Sequence, residues 1–224
     1  NQNTFLRPDN ETMIFRPFSC LSICLALIFF NASQASNLTD SPAWTLVKDK
    51  QGIQVFTHKT TDRDILKVKT QITINADIHQ IQAILNDISH RKNWIPYLNN
   101  STIIYSFSAT EKLEHAHFSA PWPASDRDFV YRIRLLHEDK NKLIYYMTSE
   151  DSPLLPVHND IIRAKLIESR YTLSALNEQQ TQVELIFHAD PKGWLPVWII
   201  NIIQKTLPYL ILRNLRDQLA KKAL

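Results

Sequence analysis

Residues 193–224 read GWLPVWIINIIQKTLPYLILRNLRDQLAKKAL. Pro196 brings a fixed φ and has no N–H to leave unpaired, which suits the first turn of a helix. From there apolar side chains recur at Trp198, Ile199, Ile202, Ile203, Tyr209, Leu212, Leu215 and Leu219, as on one face of a helix. The pattern predicts a single long helix, spanning roughly 40 Å at ~1.5 Å per residue. So long an apolar face requires an equally long partner. A membrane span is the rival reading, but Asn201, Gln204, Lys205 and Pro208 would then lie within the span without partners. Pro208 fits a bend in a soluble helix instead, with Lys205, Arg213, Arg216 and Lys221 on its wet side.

The chain upstream supplies the partner. Strand patterns run over 44–48, 52–59 and 65–74, the last with Leu66, Val68 and Thr70 alternating, and a DKQG turn joins the first two. Asn75 or Asp77 can cap a helix whose apolar positions are Ile78, Ile81, Ile84, Leu85 and Ile88, and Trp94, Pro96 and Tyr97 close a second short helix or turn. Strands resume over 101–108, 112–119, 129–136, 143–149, 161–175 and 182–189. The expectation is an α+β domain of nine strands, with helices inserted after the third. A curved antiparallel sheet gripping the terminal helix buries the apolar faces of both.

Composition narrows the chemistry. The 224 residues are 44% hydrophobic, enough for one domain with a sizeable core. Gly52 and Gly193 are the only glycines, which excludes Gly-rich phosphate loops and a GxSxG elbow. A net charge of +3, with Lys and Arg scattered among acids, argues against nucleic acid as a partner. Near the start, Met13 to Ala35 has Arg16 before an apolar run, and small Ser33 and Ala35 before a polar stretch. That is the pattern of a secretory signal peptide; an uncleaved N-terminal anchor is the rival. Residues 1–35 are therefore read as leader and upstream residues, and 36–224 as the mature domain. An exported protein is expected, periplasmic in a cell with two membranes. Cys20 and Cys24 both fall in the leader, leaving no thiol in the mature chain for a disulfide, a metal or a nucleophile.

The run Pro121-Trp122-Pro123-Ala124-Ser125-Asp126-Arg127-Asp128-Phe129-Val130, followed downstream by Lys192-Gly193-Trp194-Leu195-Pro196 and Asn201, resembles the START domain, the steroidogenic acute regulatory protein related lipid-transfer family. The likeness includes the order of elements and extends from about Trp44 to Leu219. It implies a helix-grip fold around a lipid-sized cavity, with the terminal helix and neighbouring loops as the lid. Arg127, Asp128, Gly193, Trp194 and Pro196 are the expected structural motif residues, Arg127 with carboxylate partners at the base of the loop. Trp122, on a loop stiffened by two prolines, would cover the pocket or touch a membrane.

Glu114 falls where related sterol carriers place an inward carboxylate. The arginine that partners it in them corresponds to Ile133, so that charged pair is expected to be broken, with Glu114 pairing elsewhere or pointing outward. Tyr131, Ile133 and Leu135 share a strand face opposite Arg132 and Arg134, and are expected to face the cavity. Glu114, Trp122, Trp198, Ile199 and Ile202 complete the expected ligand contacts. His115 and His117 share a face, but a third metal ligand is missing from the pattern, so no metal is expected. No acid, base or nucleophile motif is recognisable, and no cofactor is implied. The expected function is to bind one hydrophobic ligand, a lipid, phospholipid or sterol-like molecule, as a monomer making transient membrane contacts. The alternative is a helix-grip enzyme, such as a cyclase or hydrolase, acting in the same pocket.

Overall fold

A computed structural model describes residues 44–61, 64–120, 124–157 and 160–222. The leader-like stretch and Trp122 lie outside the described residues. The chain opens with β1 (Thr45–Lys50), β2 (Ile53–His58) and β3 (Lys67–Ile74). Gln51 and Gly52 form the two-residue β1–β2 turn with φ of 57° and 73°. Positive φ at both positions gives a turn whose twist matches that of the strands, and glycine takes the second position without strain.

Helix α1 (Ile78–Asn86) follows, capped by Asp77: its carboxylate accepts from the His79 amide at 2.8 Å, while the Gln80 side chain returns to the Asp77 amide at 3.0 Å. A 3₁₀ turn (Ile88–Asn93) then leads through buried Trp94 into β4 (Leu98–Ser106). The remaining strands are β5 (Glu111–Phe118), β6 (Arg127–Glu138), β7 (Lys142–Ser149), β8 (Ile162–Arg163), β9 (Lys165–Asn177) and β10 (Gln180–Asp190), before α2 (Val197–Lys222) closes the chain. The sheet order is β1-β2-β3-β10-β9-β7-β6-β5-β4, with antiparallel neighbours throughout. The stretch expected as one strand at 161–175 is two: β8 pairs in parallel with the start of β6, and the chain then moves across to β7 as β9. The sheet thus has ten strands rather than nine.

Helix α2 packs on β2, β3 and β10, on one flank of the sheet. Its buried residues are Ile200, Gln204, Pro208, Tyr209, Ile211, Leu212, Leu215 and Leu219, recurring mostly at three or four residues. Polar ties fix the helix along its length. Asn201 Oδ1 accepts from the Leu66 amide at 2.9 Å, and Asn214 Nδ2 donates to the Trp94 carbonyl at 2.9 Å. Tyr209 donates its hydroxyl to Gln51 Oε1 at 3.0 Å and carries the Lys48 ammonium 3.5 Å above its ring. No helix among the described residues is long and apolar enough to cross a membrane.

Candidate functional site

With α2 leaning on one flank, the inward face of the other flank is left partly uncovered, and a cavity of 1040 Å³ opens between them. That lies at the upper end of the range of drug-sized pockets. Strand alternation selects its walls. Ala116 and Phe118 face it from β5, and Phe129, Tyr131 and Ile133 from β6. Met147, Leu166, Leu185 and Phe187 extend an apolar lining. Helix α2 contributes Trp198, Ile199, Ile200, Ile202 and Ile203 at the mouth, and Leu207 and Ile211 deeper in.

The polar exception is built around Glu114, which is only 1% exposed. Its partner is Arg91 of the 3₁₀ turn, whose Nη1 donates to Glu114 Oε2 at 2.6 Å. The expected broken pair is therefore replaced by a pair made from another element. Ile133 does occupy the sixth-strand position, and the guanidinium reaches Glu114 from the other side. Tyr131 donates its hydroxyl to the same carboxylate oxygen at 2.8 Å, while Arg91 Nη2 donates to the Leu85 carbonyl at 2.9 Å. Burial opposes the charge on Arg91, but the neighbouring Tyr131 and Glu114 prevail and hold its pKa above the ordinary value. Burial, followed by the Glu114 charge, pushes Tyr131 up, so its hydroxyl keeps the proton it donates. Tyr171, on β9 beside Arg91, is likewise pushed up by burial. Arg91, Tyr131, Tyr171, Ser169 and Ser101 all line the cavity, whereas Glu114 does not. Glu114 thus positions Arg91 and Tyr131 from behind the wall, and is not the ligand contact expected of it. No described residue hydrogen-bonds the Tyr171 or Ser169 hydroxyl.

On the face of the sheet away from the cavity, the start of β6 is tied to its neighbours. Asp128 accepts from Arg163 Nε at 2.8 Å and from His115 Nε2 at 3.0 Å, and Asp126 pairs with His117 Nε2 at 2.8 Å. Burial works against the Asp128 charge, yet Arg163 and then His115 hold the carboxyl below its ordinary range. The two histidines on one strand face therefore take separate aspartates. The carboxylate partners expected for Arg127 are not its hydrogen-bond partners: the buried ion pair here is made by its neighbour Asp128 with Arg163. Arg127 donates to the Ser125 carbonyl and, at 3.4 Å, to the Pro191 carbonyl, pinning the turn that precedes α2. In that turn Gly193 has φ of 67°, and a Cβ there would lie 2.7 Å from Ile162 Cδ1. Pro196 immediately precedes α2, its carbonyl accepting from the Ile200 amide at 3.2 Å.

The other expected residues fall as follows. Tyr131, Ile133, Trp198, Ile199 and Ile202 line the cavity, as does Trp194. Leu135 shares the strand face but packs against the core beyond the cavity. Trp194 is 89% exposed and Trp198 65%, which puts two indoles in solvent at the rim. Arg91 escaped sequence reasoning because it lies in a 3₁₀ turn between two lysine- and histidine-containing positions, where a charge reads as surface. The clue was Glu114 itself, an acid with inward parity and therefore in need of a cation.

The START domain family model matches residues 30–221. The chain is 24% identical to the phosphatidylcholine transfer protein of Bos taurus, over 71% of this chain and 76% of that one. It is also 24% identical to START domain-containing protein 10 of Mus musculus over 70% of this chain, spanning 55%, about half, of that relative's length. Among solved structures, human StAR-related lipid transfer protein 5 superposes with a TM-score of 0.75 at 17% identity, covering 83% of this chain and 90% of that chain.

Proposed function

Because the chain belongs to the START domain family, we propose that it carries one amphipathic lipid in the 1040 Å³ cavity, shielding it from water between membranes. The observation that carries this reading is a predominantly apolar chamber with the satisfied Arg91–Glu114–Tyr131 cluster at its wall. Burying about 400 Å² of ligand apolar surface at ~25 cal/mol per Å² gains on the order of 10 kcal/mol before ordering costs, enough to compete with a bilayer. The polar group of the lipid lies against Arg91, where the Tyr171 and Ser169 hydroxyls are unused, and the acyl portion lies among Phe118, Phe129, Leu166 and Leu185.

Loading takes place at a membrane surface. The exposed Trp194 and Trp198, with half-exposed Ile202 and Ile203, form an apolar rim around the mouth, and indoles favour the interfacial zone of a bilayer. Pro208, inside α2, removes one backbone hydrogen bond and lowers the cost of bending the helix away from the mouth. The leader-like pattern over 13–35 supports a site of action outside the cytoplasm, periplasmic in a cell with two membranes. The protein acts as a monomer on this reading.

The test is transfer of a fluorescent phospholipid between donor and acceptor vesicles. Wild type is expected to transfer it catalytically. The double variant Trp194→Ala, Trp198→Ala should slow transfer about tenfold while retaining equilibrium lipid occupancy. Wild type that neither binds nor moves lipid contradicts the carrier reading, and unchanged transfer by the double variant contradicts docking through the rim.

A further inference from the structure

Arg127 opens β6 with the inward parity of Phe129 and Tyr131, is 8% exposed and lines the cavity. Its Nε and Nη1 donate to the Pro191 and Ser125 carbonyls. No carboxylate among the described residues pairs with it. The acids of the two segments it joins are engaged, Asp126 by His117 and the Ala120 amide, and Asp190 by Lys192. Burial holds the Arg127 pKa below its ordinary value, and the Asp126 charge does not make up the difference. Nη2 has no hydrogen-bond partner among the described residues. Unlike the unpartnered Nε of Arg170, which is fully buried, Nη2 keeps accessible surface. A largely buried cation with only neutral partners is short of a counter-charge.

The start of α2 adds to the same deficit. A Cβ at Gly193 would lie 3.7 Å from Arg127 Nη2, so the glycine leaves that side of the guanidinium uncovered. Four residues on, α2 begins with the Val197 and Trp198 amides, which find no acceptor among the described residues. Pro196 stands in the capping position without a side-chain acceptor, and the first turn holds no acid. A helix of 26 residues thus brings the positive end of its dipole, uncapped, to the mouth that Arg127 lines. This end is open, with Gly193, Trp194, Val197 and Trp198 all exposed. Resting on the docking step of the carrier reading above, we propose that Arg127 and the N-terminus of α2 form a phosphate site, filled by a bilayer phospholipid while the rim is docked. Phosphate oxygens accept from guanidinium and helix amides alike. The flanking Trp194 and Trp198 favour the headgroup level, where such phosphates lie. Docking then depends on phosphate itself, beyond bilayer charge and apolar contact.

The probes are vesicles of phosphatidylcholine, phosphatidylglycerol and digalactosyldiacylglycerol. The first two share a phosphate and differ in the rest of the headgroup, and the third has none. Binding is measured by co-sedimentation. Wild type is expected to bind both phospholipid vesicles about tenfold more tightly than the galactolipid vesicles. In Arg127→Gln both preferences should fall to near one. Pro196→Asp, whose carboxylate caps the helix and occupies the site, should lose them likewise with an unfolding midpoint no lower than wild type, which separates lost phosphate binding from misfolding. Equal binding of all three vesicles by wild type, a preference for phosphatidylglycerol alone, or a preference kept in either variant overturns the inference. Low-millimolar inorganic phosphate at matched ionic strength should leave the preference in place; its loss there assigns the site to the free ion and overturns the bilayer source. If wild type binds the three vesicles alike yet still moves lipid, this inference falls and the carrier reading stands. If it prefers both phospholipid vesicles and moves no lipid, the carrier reading falls and the phosphate site stands.

Discussion

Glu114 and Arg91 are both more than nine-tenths buried, and each is tolerable only because of the other. Removing one member of such a pair leaves an uncompensated charge in the interior, which costs about 3–5 kcal/mol. Glu114→Ala is therefore expected to lose about that much in urea unfolding, and the double variant Glu114→Leu, Arg91→Met to recover most of it. If Glu114→Ala costs under about 1 kcal/mol, the cluster is solvated and not the cavity's polar anchor. Half of this cluster was legible in the sequence. Parity along β5 brings Glu114 inward with Ala116 and Phe118, and parity along β6 does the same for Tyr131 and Ile133. Arg91 was not legible, because a 3₁₀ turn has neither the period of a helix nor that of a strand to say which way its side chains point. The same limit applied to Arg127 and Asp128. The sequence marks both as a motif, but only the fold brings Arg163 and His115 to one and the Pro191 carbonyl to the other.

Helix α2 shows how an element can be foreseen while its orientation is not. Its extent was legible from Pro196 onward, and Tyr209, Leu212, Leu215 and Leu219 are buried as the apolar spacing implies. In the first half the spacing misleads. Trp198, Ile202 and Ile203 are exposed at the rim, while Ile200, Gln204 and Pro208 face inward. Tracing the helix backward from Leu219 in steps of three or four residues reaches Leu215, Leu212 or Ile211, Pro208, Gln204 and Ile200. A hydropathy pattern passes over that track, because a glutamine and a proline stand on it. The turn before α2 governs how the helix meets the mouth, and Gly193 is its most constrained point. Gly52 has a similar φ of 73° with no atom within 4 Å of where a Cβ would stand, whereas at Gly193 Ile162 would have to give way. Ala at Gly52 should cost about 1 kcal/mol from backbone strain alone, and Ala at Gly193 about 2–3 kcal/mol, with overpacking added. Equal losses in urea unfolding would mean that the turn is free to move away from β8.

At the scale of the whole molecule, the cavity follows from an unequal grip. Helix α2 lies on β2, β3 and β10, so the inward faces of β5 and β6 have no helix to fill the space above them. An apolar chamber of 1040 Å³ is far larger than the voids a close-packed interior tolerates, which makes ligand volume part of the fold's stability. The succession of strands along the chain, apart from the split of β8 from β9, and the terminal helix were legible in the sequence, but this volume was not. Periodicity reports which faces are apolar, not whether two apolar faces touch. The most direct measurement is native mass spectrometry with lipid extraction on wild type and on Ala116→Phe, a variant that adds bulk to the chamber wall, together with the unfolding free energy of each. The account predicts one lipid per wild-type chain, and in Ala116→Phe a clear fall in occupancy with a stability change within about 1 kcal/mol. Wild type at the bare protein mass, with Ala116→Phe losing about 1–3 kcal/mol as overpacked cores do, would contradict it.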